Sequence, residues 1–303
     1  MPRLIILLGP TAVGKSAAGY LLAKKFSGEI INCDSMQVYR GFDIGTDKPP
    51  AAIRAEIPHH LLDIADPSSQ FTAAAFIEQA VQAVRLILAQ SRLPIIVGGT
   101  GLYFKSLLEG LFPGPGRDDS LRRELEKAAG EKGLAYLRKK LEEVDPDYLG
   151  RISLNDRRKI IRALEVHTLT GKPLSAHFAD TRPCLEDFHP IKIGLKCEKD
   201  VLYRRIEERV DRMFRLGIVD EAQALLARGV DEKAPPFLAL GYKYVLAFLK
   251  GKLTMEEAIS LTKRDTRRYA KRQMTWFRKM EGIHWFGPDE AGVMADFVAA
   301  ELG

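Results

Sequence analysis

The feature that most constrains this chain is a glycine-rich segment that directly follows an apolar run at the N-terminus. Residues 3–8 read Arg-Leu-Ile-Ile-Leu-Leu, and residues 9–16 read Gly-Pro-Thr-Ala-Val-Gly-Lys-Ser. In this pattern the N–H groups of a loop surround a phosphate, the lysine adds positive charge, and the serine hydroxyl can reach Mg²⁺. A helix that begins near Gly14 would direct the positive end of its dipole at the same anion. The segment therefore predicts a phosphate-binding loop between a strand and a helix.

Apolar runs and helical patterns alternate along the first hundred residues. Residues 4–8, 29–33 and 94–97 predict buried parallel strands, and the patterns over 17–26 and 72–91 predict the helices between them. This alternation is typical of an α/β fold in which helices cover both faces of a parallel sheet. Ligands of such sheets lie beyond the carboxyl ends of the strands, so the residues that follow each strand are the candidates for chemistry.

Beyond residue 112 the strand pattern stops. Residues 112–117 read Phe-Pro-Gly-Pro-Gly-Arg, which is typical of a linker, and 118–144 and 156–170 have the pattern of charged amphipathic helices. We therefore predict an all-helical insertion over residues 113–187.

A strand pattern returns over residues 189–197, and helical patterns dominate 199–281, with a short strand possible at 283–286. The core is thus predicted to consist of residues 1–112 together with 188–303, the second part being mostly helical.

Composition sets broad limits on location and partners. The chain has 303 residues, 46% of them hydrophobic, and a net charge of +6, which is compatible with a polyanionic partner. Cys33, Cys184 and Cys197 have neither disulfide-framework nor zinc spacing, which favours a reducing compartment. The apolar run at 4–8 is too short for a signal peptide or a membrane span. We expect a cytoplasmic protein.

Polar residues follow the second and third predicted strands. Asp34 could accept a proton or hold a metal through water, but an ordinary cap of the next segment explains it equally well. Gly98-Gly-Thr-Gly101 ends the third strand, where Thr100 could contact a ligand or belong to a plain tight turn. The third strand lacks the acid that usually helps ATPases to hold Mg²⁺, which suggests a loop that binds phosphate without hydrolysing ATP.

Basic residues cluster in two helical patterns. Arg205, Arg209 and Arg212 share one face, which could neutralise a phosphate or form a solvated surface paired with neighbouring acids. Residues 264–279 are basic with interleaved Tyr269 and Trp276, which suits RNA, although packing alone could explain the rings. Residues 155–162 add a second basic cluster. The pair His59-His60 favours structural roles, because adjacent histidines face different ways.

Several motifs occur together in one order along the chain. They are Gly9-Pro-Thr-Ala-Val-Gly-Lys-Ser16, Asp34-Ser-Met-Gln-Val-Tyr39, Asp43-Ile-Gly-Thr46, Pro58-His-His-Leu61, Gly98-Gly-Thr-Gly-Leu-Tyr103, Asn155-Asp156, Arg162-Ala-Leu-Glu165, Arg268-Tyr-Ala-Lys-Arg-Gln273 and Thr275-Trp276. The ordered set resembles the bacterial tRNA dimethylallyltransferases, also called tRNA isopentenyltransferases. The resemblance extends from residue 4 to about residue 285.

The resemblance implies a P-loop NTPase-like sheet core with an all-helical insertion that contacts tRNA. It implies transfer of a dimethylallyl group from dimethylallyl diphosphate to N6 of the adenosine on the 3′ side of the anticodon, in tRNAs that read UNN codons. Mg²⁺ would assist, diphosphate would leave, and the protein would be a monomer. The phosphate loop would then hold a leaving group, which fits the missing acid. The adenine would have to leave the base stack to present N6.

The same resemblance assigns roles to individual residues. Asp34 would be the base, and Thr11 and Arg209 would stabilise charge on the leaving group. The diphosphate would be held by Gly9, Pro10, Thr11, Ala12, Val13, Gly14, Lys15 and Ser16, with Ser16 also near Mg²⁺. The tRNA would be contacted by Asp34, Ser35, Met36, Gln37, Thr100, Arg122, Arg158, Lys159, Ile160, Ile161, Arg162, Gly241, Tyr242, Lys243, Lys271, Arg272, Gln273 and Trp276.

One departure and two alternatives accompany this assignment. Many relatives carry an acid where this chain has Tyr244, so a role for an acid there is in doubt. A nucleoside or small-molecule kinase would explain the loop, Asp34 and the arginine row, but not the basic helix. An RNA-binding protein with a degenerate loop would not need the intact Lys15 and Ser16.

Overall fold

The computed structural model describes residues 1–112, 114–179 and 181–303. These residues form two compact units, one of Met1–Leu107 with Leu185–Gly303 and one of Leu108–Cys184. The limits predicted for the insertion, 113–187, lie a few residues away, and its first residue, Pro113, lies outside the described part of the chain.

A six-stranded parallel sheet forms the centre of the first unit. Within the described residues its strands are β1 (Arg3–Leu8), β2 (Gly28–Cys33), β3 (His59–His60), β4 (Leu93–Gly98), β5 (His189–Leu195) and β6 (His284–Phe286). Their spatial order is β3-β2-β4-β1-β5-β6. The expected α/β fold and the returning strands are confirmed. The edge strand β3 was not predicted, because two residues are too few to show a period.

The helices in chain order are α1 (Lys15–Lys25), α2 (Ala51–Glu56), α3 (Ala73–Ala89), α4 (Gly101–Glu109), α5 (Asp119–Glu131), α6 (Leu134–Val144), α7 (Pro146–Leu149), α8 (Arg157–Thr170), α9 (Leu174–Ala179), α10 (Lys199–Arg215), α11 (Ile218–Ala227), α12 (Tyr242–Leu249), α13 (Met255–Phe277) and α14 (Ala291–Leu302). A short 3₁₀ turn, Pro235–Leu238, precedes α12. No described helix is long and apolar enough to cross a membrane.

The central strands are buried on both faces, which explains their continuous apolar sequence. In β1, Ile5 pairs in register with Ile95 of β4 on one side and with Ile191 of β5 on the other. These side chains belong to one hydrophobic cluster, which Leu22 of α1 and Ile206 of α10 also join. The packing fixes the carboxyl ends of the strands, where the site residues follow.

The sheet edge explains the histidine pair. His60 pairs with Ile31 of β2, and its Nε2 lies 2.6 Å from Oε2 of the buried Glu29. His59 Nδ1 lies 2.7 Å from the Ile57 carbonyl oxygen. Both contacts are structural, in line with the expectation from the sequence.

The second unit is a helical cluster with its own core. Buried side chains of α6 and α8, among them Leu137, Leu141 and Ile160, pack together. The predicted helical stretch 118–144 is divided into α5 and α6 at Gly133, where φ is 79° and favours glycine. Asp118 caps α5 by accepting hydrogen bonds from the N–H groups of Ser120 and Leu121.

Candidate active site

A cavity of about 590 Å³ opens at the carboxyl ends of β1, β2 and β4. The phosphate loop, the turns after β2 and β4, and one face each of α10 and α13 surround it. Its lining includes Thr11, Ala12, Gly14, Lys15, Ser16, Asp34, Gln37, Asp47, Gly98, Gly99, Arg205, Glu208, Arg209, Arg212, Tyr269 and Gln273. The structure therefore brings the three predicted catalytic residues to one cavity in the first unit.

The phosphate loop has the backbone that the motif predicts. Gly14 precedes α1 with φ of 108°, a conformation that side chains rarely adopt. The buried Gly9, Pro10 and Val13 form the back of the loop, while Ser16 is exposed to the cavity. The loop thus turns its polar face and the first N–H groups of α1 toward the cavity.

Lys15 is a buried lysine close to Arg209 and to two carboxylates. Its Nζ donates to the Pro10 carbonyl oxygen over 2.7 Å. Burial first, and then the charge of Arg209, lower the pKa of Lys15 to about 7, although Asp34 and Asp47 oppose the shift. A bound anion would reverse this shift, because it would stabilise the ammonium.

Asp34 is held by its own turn and also lines the cavity. Its Oδ1 accepts hydrogen bonds from the N–H groups of Met36 at 2.8 Å and Gln37 at 3.3 Å. Ser35 donates its N–H to Oγ1 of Thr100 over 3.1 Å, which ties the turns after β2 and β4 together. Asp34 thus makes the capping hydrogen bonds expected of a purely structural residue. It also lies in the cavity, where a catalytic base would have to be.

Gln273 joins the phosphate loop to the turn after β4. Its Oε1 accepts from the Thr11 N–H, and its Nε2 donates to the Gly99 carbonyl oxygen, both over 2.8 Å. A Cβ at position 99 would lie 2.3 Å from this Nε2, so any residue larger than glycine would collide with the Gln273 side chain. Gln273, expected at the tRNA, is therefore engaged in holding the site together.

The arginine face of α10 is turned toward the cavity. Arg209 donates from Nη1 to Oγ1 of Thr11 over 2.6 Å, and Arg205 donates to the Val13 carbonyl oxygen over 3.2 Å. Two of the neighbouring acids pair with α13 instead of with the arginine row: Glu207 contacts Arg267 and Asp211 contacts Lys263. Arg209 and Arg212 instead pair with a carboxylate that lies elsewhere in the sequence.

That carboxylate is Asp47, which sequence reasoning missed. Its Oδ2 lies 3.3 Å from Nε of Arg209, and its Oδ1 accepts from Nη2 of Arg212 over 3.0 Å. Asp47 follows the predicted motif 43–46, but no period or spacing relates it to α10. The only signal is its type, since a φ of 56° favours Asp, Asn or Gly.

The residues of the first unit that were predicted to contact tRNA differ in how far they are buried. Tyr242 is fully buried, and its hydroxyl donates to Glu221 and accepts from the Gly45 N–H. Lys243 forms an ion pair with Asp265 at 3.0 Å. By contrast Lys271, Arg272 and Trp276 are exposed, and Met36 and Gly241 are not. Lys271, Arg272 and Trp276 thus offer accessible side chains to a large partner, whereas the buried Tyr242 does not.

The predicted tRNA residues of the second unit divide in the same way. Ile160 and Ile161 are buried in its core, while Arg158 and Lys159 are exposed. Within the segment 158–162, Arg158 and Lys159 can therefore contact a partner, whereas Ile160 and Ile161 stabilise the core, because a helix turns successive side chains to different sides.

Two further predicted residues of that unit surround a buried acid. Arg122 donates from Nε and Nη2 to Glu165, each over 2.8 Å, and Arg162 donates to it over 2.6 Å. Burial alone would raise the pKa of Glu165, but hydrogen bonds from Arg122, Arg162 and the Asp118 N–H lower it to about 2. Both arginines are thus engaged in an internal ion-pair cluster.

A divalent cation has one predicted ligand, the Ser16 hydroxyl. Among the described residues, no group of three or more His, Cys, Asp or Glu side chains converges to hold a metal. The exposed Ser16 beside a phosphate loop fits a Mg²⁺ ion that is held chiefly by substrate phosphates and water, which is the coordination this ion favours.

Three comparisons with known proteins agree. The model of the family described as IPP transferase matches residues 37–280. The tRNA dimethylallyltransferase of Geobacter sulfurreducens is 49% identical over 93% of this chain and 91% of its own length. The crystal structure of the tRNA isopentenylpyrophosphate transferase of Bacillus halodurans superposes with a TM-score of 0.74 at 41% identity, covering 100% of this chain and 97% of that one.

A eukaryotic dimethylallyltransferase, described as acting on tRNA, gives a TM-score of 0.78 at 31% identity over 95% of this chain and 74% of its own. The family match spans most of the sequence and includes the basic face of α13. On these grounds the chain belongs to the IPP transferase family, a family of transferases.

Proposed function

We propose that this protein transfers a dimethylallyl group from dimethylallyl diphosphate to N6 of the adenosine on the 3′ side of the anticodon, in tRNAs that read UNN codons. The observation that carries the proposal is the meeting of a phosphate loop, Asp34 and Arg209 in one cavity, in a chain of this family. The products are N6-(dimethylallyl)adenosine and diphosphate.

Asp34 is the proposed base. As the adenine nitrogen N6 forms a bond to C1 of the dimethylallyl group, the bond between C1 and the diphosphate oxygen breaks and that oxygen keeps the electron pair. N6 must then lose a proton, which Asp34 accepts. The N–H groups of Met36 and Gln37 fix Oδ1 of the carboxylate, so its orientation is set before the substrate arrives.

Thr11, Arg209 and Lys15 stabilise the leaving group. Arg209 donates to the Thr11 hydroxyl oxygen, which orients that hydroxyl to donate its own hydrogen to the departing oxygen. The charges of Arg209 and Lys15 and the N–H groups at the start of α1 act on the same anion, and they are in position before charge develops.

Mg²⁺ would be held by Ser16 with the diphosphate, and when bound it would supply further positive charge for the leaving group. This role requires no converging set of carboxylates, because the phosphate oxygens and water complete the coordination.

The tRNA would be bound through exposed basic and aromatic side chains. In the first unit these are Lys271, Arg272 and Trp276, and in the second Arg158 and Lys159. Positive side chains contact the RNA backbone, and rings stack on unpaired bases. The acceptor adenine must leave the stack to reach Asp34, where Ser35, Gln37 and Thr100 surround the proposed base site.

The deciding experiment uses the full chain, Mg²⁺, labelled dimethylallyl diphosphate and an unmodified tRNA transcript that reads a UNN codon. We expect label on the adenosine that follows the anticodon, located by mass spectrometry of nuclease fragments. A matched transcript with guanosine at that position lacks N6 and should remain unlabelled. Absence of label on the adenosine transcript contradicts the proposal, and rapid ATP consumption with a small acceptor would favour a kinase.

A further inference from the structure

We propose that Asp47 is an internal counter-ion of the anion site. It holds Arg209 and Arg212 in position before an anion binds, and it lowers the affinity of the site for the diphosphate that the reaction releases. This inference rests on the proposed function, because it assigns the cavity to a diphosphate.

The contacts of Asp47 resemble those that an anion would make. One carboxylate oxygen faces Arg209 at 3.3 Å and the other faces Arg212 at 3.0 Å. Arg209 also donates to Thr11, so its guanidinium is held on one side by the phosphate loop and on the other by Asp47. Asp47 therefore orients a group that would face the leaving diphosphate, and it does so from the same cavity.

The turn that carries Asp47 is anchored, so the carboxylate has little freedom to withdraw. Lys48, whose side chain is 1% exposed, donates to the Tyr39 carbonyl oxygen at 2.6 Å and forms ion pairs with Asp43 at 2.7 Å and Asp63 at 2.5 Å. A buried ammonium with these three acceptors is fixed in place, since losing any of them would leave charge unsatisfied.

Two more groups hold the same turn from other elements. Glu221 of α11 accepts the N–H groups of Asp43 and Ile44, each at 2.9 Å. Gln37 donates from Nε2 to the carbonyl oxygens of Thr46 and Asp47 at 2.9 and 3.1 Å. The turn thus connects the segment after Asp34 to the arginine face of α10, and Asp47 stands at the junction.

A fixed carboxylate beside an anion site acts differently on substrate and product. The diphosphate keeps the electron pair of the broken C–O bond, so the product carries more negative charge than the diphosphate group of the substrate. Repulsion from Asp47 grows with that charge. Asp47 therefore opposes retention of the product while it keeps the arginines oriented.

The test compares binding of inorganic pyrophosphate to the wild-type protein and to Asp47→Asn by calorimetry. Asparagine also tolerates the left-handed backbone of residue 47, so the turn is preserved. We expect the dissociation constant to fall by about three- to tenfold, the size of effect that a partly exposed charge gives. Steady-state assays should show stronger product inhibition by the same factor.

Two variants make the comparison specific. Asp289→Asn removes the same charge from the far side of the arginine row, where the carboxylate is 94% exposed and 4.0 Å from Arg205, and it should leave pyrophosphate binding unchanged. In an Arg212→Gln background the effect of Asp47→Asn should shrink, because one of the two paired arginines is gone.

Unchanged or weaker pyrophosphate binding by Asp47→Asn, with wild-type thermal stability, overturns the counter-ion role and leaves the proposed function intact. Failure of the wild-type protein to bind pyrophosphate at all overturns both. Equal tightening by Asp289→Asn also overturns the proposal, because it would reduce the effect to net charge.

Discussion

Two regions of the molecule each gather two arginines around one carboxylate, and burial of the carboxylate distinguishes them. In the second unit Glu165 is fully buried, and Arg122, Arg162 and the N–H of Asp118 donate to its oxygens. Each partner satisfies a charge that water cannot reach. Such a cluster holds α5 and α8 together and leaves the arginines no freedom to bind another anion without a large loss.

At the cavity the corresponding carboxylate remains in contact with water. The Asp47 side chain is 37% exposed, and its partners Arg209 and Arg212 are 20% and 53% exposed. An ion pair of this kind is weak, because solvent screens it, so an incoming anion can compete for the arginines. The same residue types therefore stabilise structure in one region and prepare a binding site in the other.

The largest effect is expected at Asp34, a third carboxylate, which we place next to the reacting atoms and not in an arginine cluster. Asp34→Asn should lower the rate of dimethylallyl transfer by about 10²- to 10⁴-fold, the usual contribution of a general base. The amide keeps an oxygen that can accept from Met36 and Gln37, so the turn should survive. Single-turnover assays with saturating tRNA measure the rate.

Filter binding and thermal unfolding of Asp34→Asn should match the wild-type protein, since the substitution acts on chemistry. A variant that transfers at the wild-type rate would remove Asp34 from the role of base and leave only its capping contacts.

Glu165→Gln should do the reverse and act on stability. Neutralising this buried carboxylate leaves Arg122 and Arg162 without their counter-charge and should destabilise the second unit by about 3 kcal/mol. Hydrogen exchange of α5 and α8 in the full chain reports the loss. Glu126→Gln, which removes an exposed acid that pairs with Arg157, is the matched control and should change little.

The pH dependence of Glu165 has a defined sign. Its pKa in the folded protein is about 2, below the ordinary value of 4.5. Its stabilising contribution is therefore complete above about pH 4.5 and is lost as the pH falls toward 2. If the ion-pair cluster around Glu165 is weaker than its geometry indicates, hydrogen exchange should show α5 and α8 separating at a higher pH.

The sequence predicted those parts of the fold and site that depend on local order. The phosphate loop, Asp34 and the strands before them lie within one βαβ segment, so position along the chain gives position in space. Helices α3 and α8 follow in the same way from an apolar period and from the caps Thr72 and Asp156, whereas α1 follows from its place directly behind the phosphate loop.

Residues whose roles depend on distant contacts could not be predicted. Gln273 meets Thr11 across 262 positions, and Arg209 of α10 meets Asp47 of the turn before α2; no local pattern encodes either contact. Burial was the other unknown. Ile160 follows the exposed Lys159, and Tyr242 precedes the partly exposed Lys243; only packing shows that Ile160 and Tyr242 face inward.

Lys15 sharpens the contrast with Glu165: burial, and then the like charge of Arg209, lower the pKa of Lys15, whereas hydrogen bonds from its partners lower the pKa of Glu165. With a pKa of about 7 in the free protein, Lys15 is protonated below pH 7 and must take up a proton on anion binding above it. Pyrophosphate affinity should therefore fall above pH 7, by up to about tenfold per pH unit.

Calorimetry in buffers of different ionisation enthalpy measures the proton uptake. In experiments with Lys15→Met the pyrophosphate still titrates, but the lysine ammonium is absent. We therefore expect this variant to bind pyrophosphate weakly and to show no proton uptake by residue 15. Equal pH profiles for the two proteins would assign the dependence to the ligand.

The smallest effect is expected at Arg272, an exposed arginine whose guanidinium carbon lies 5.7 Å from the centre of the Tyr269 ring. Unlike the arginines at Glu165 or Asp47, it can serve a polyanion directly. Arg272→Gln should weaken tRNA binding a few-fold at moderate salt and lower the slope of log K against log salt by about 1, as loss of one phosphate contact does. Arg85→Gln, an equal charge change at an exposed position of α3, is the control for net charge. Equal slopes for wild type and Arg272→Gln would restrict Arg272 to packing over Tyr269. Arg272 would then be a structural arginine, like Arg122 and Arg162 at Glu165.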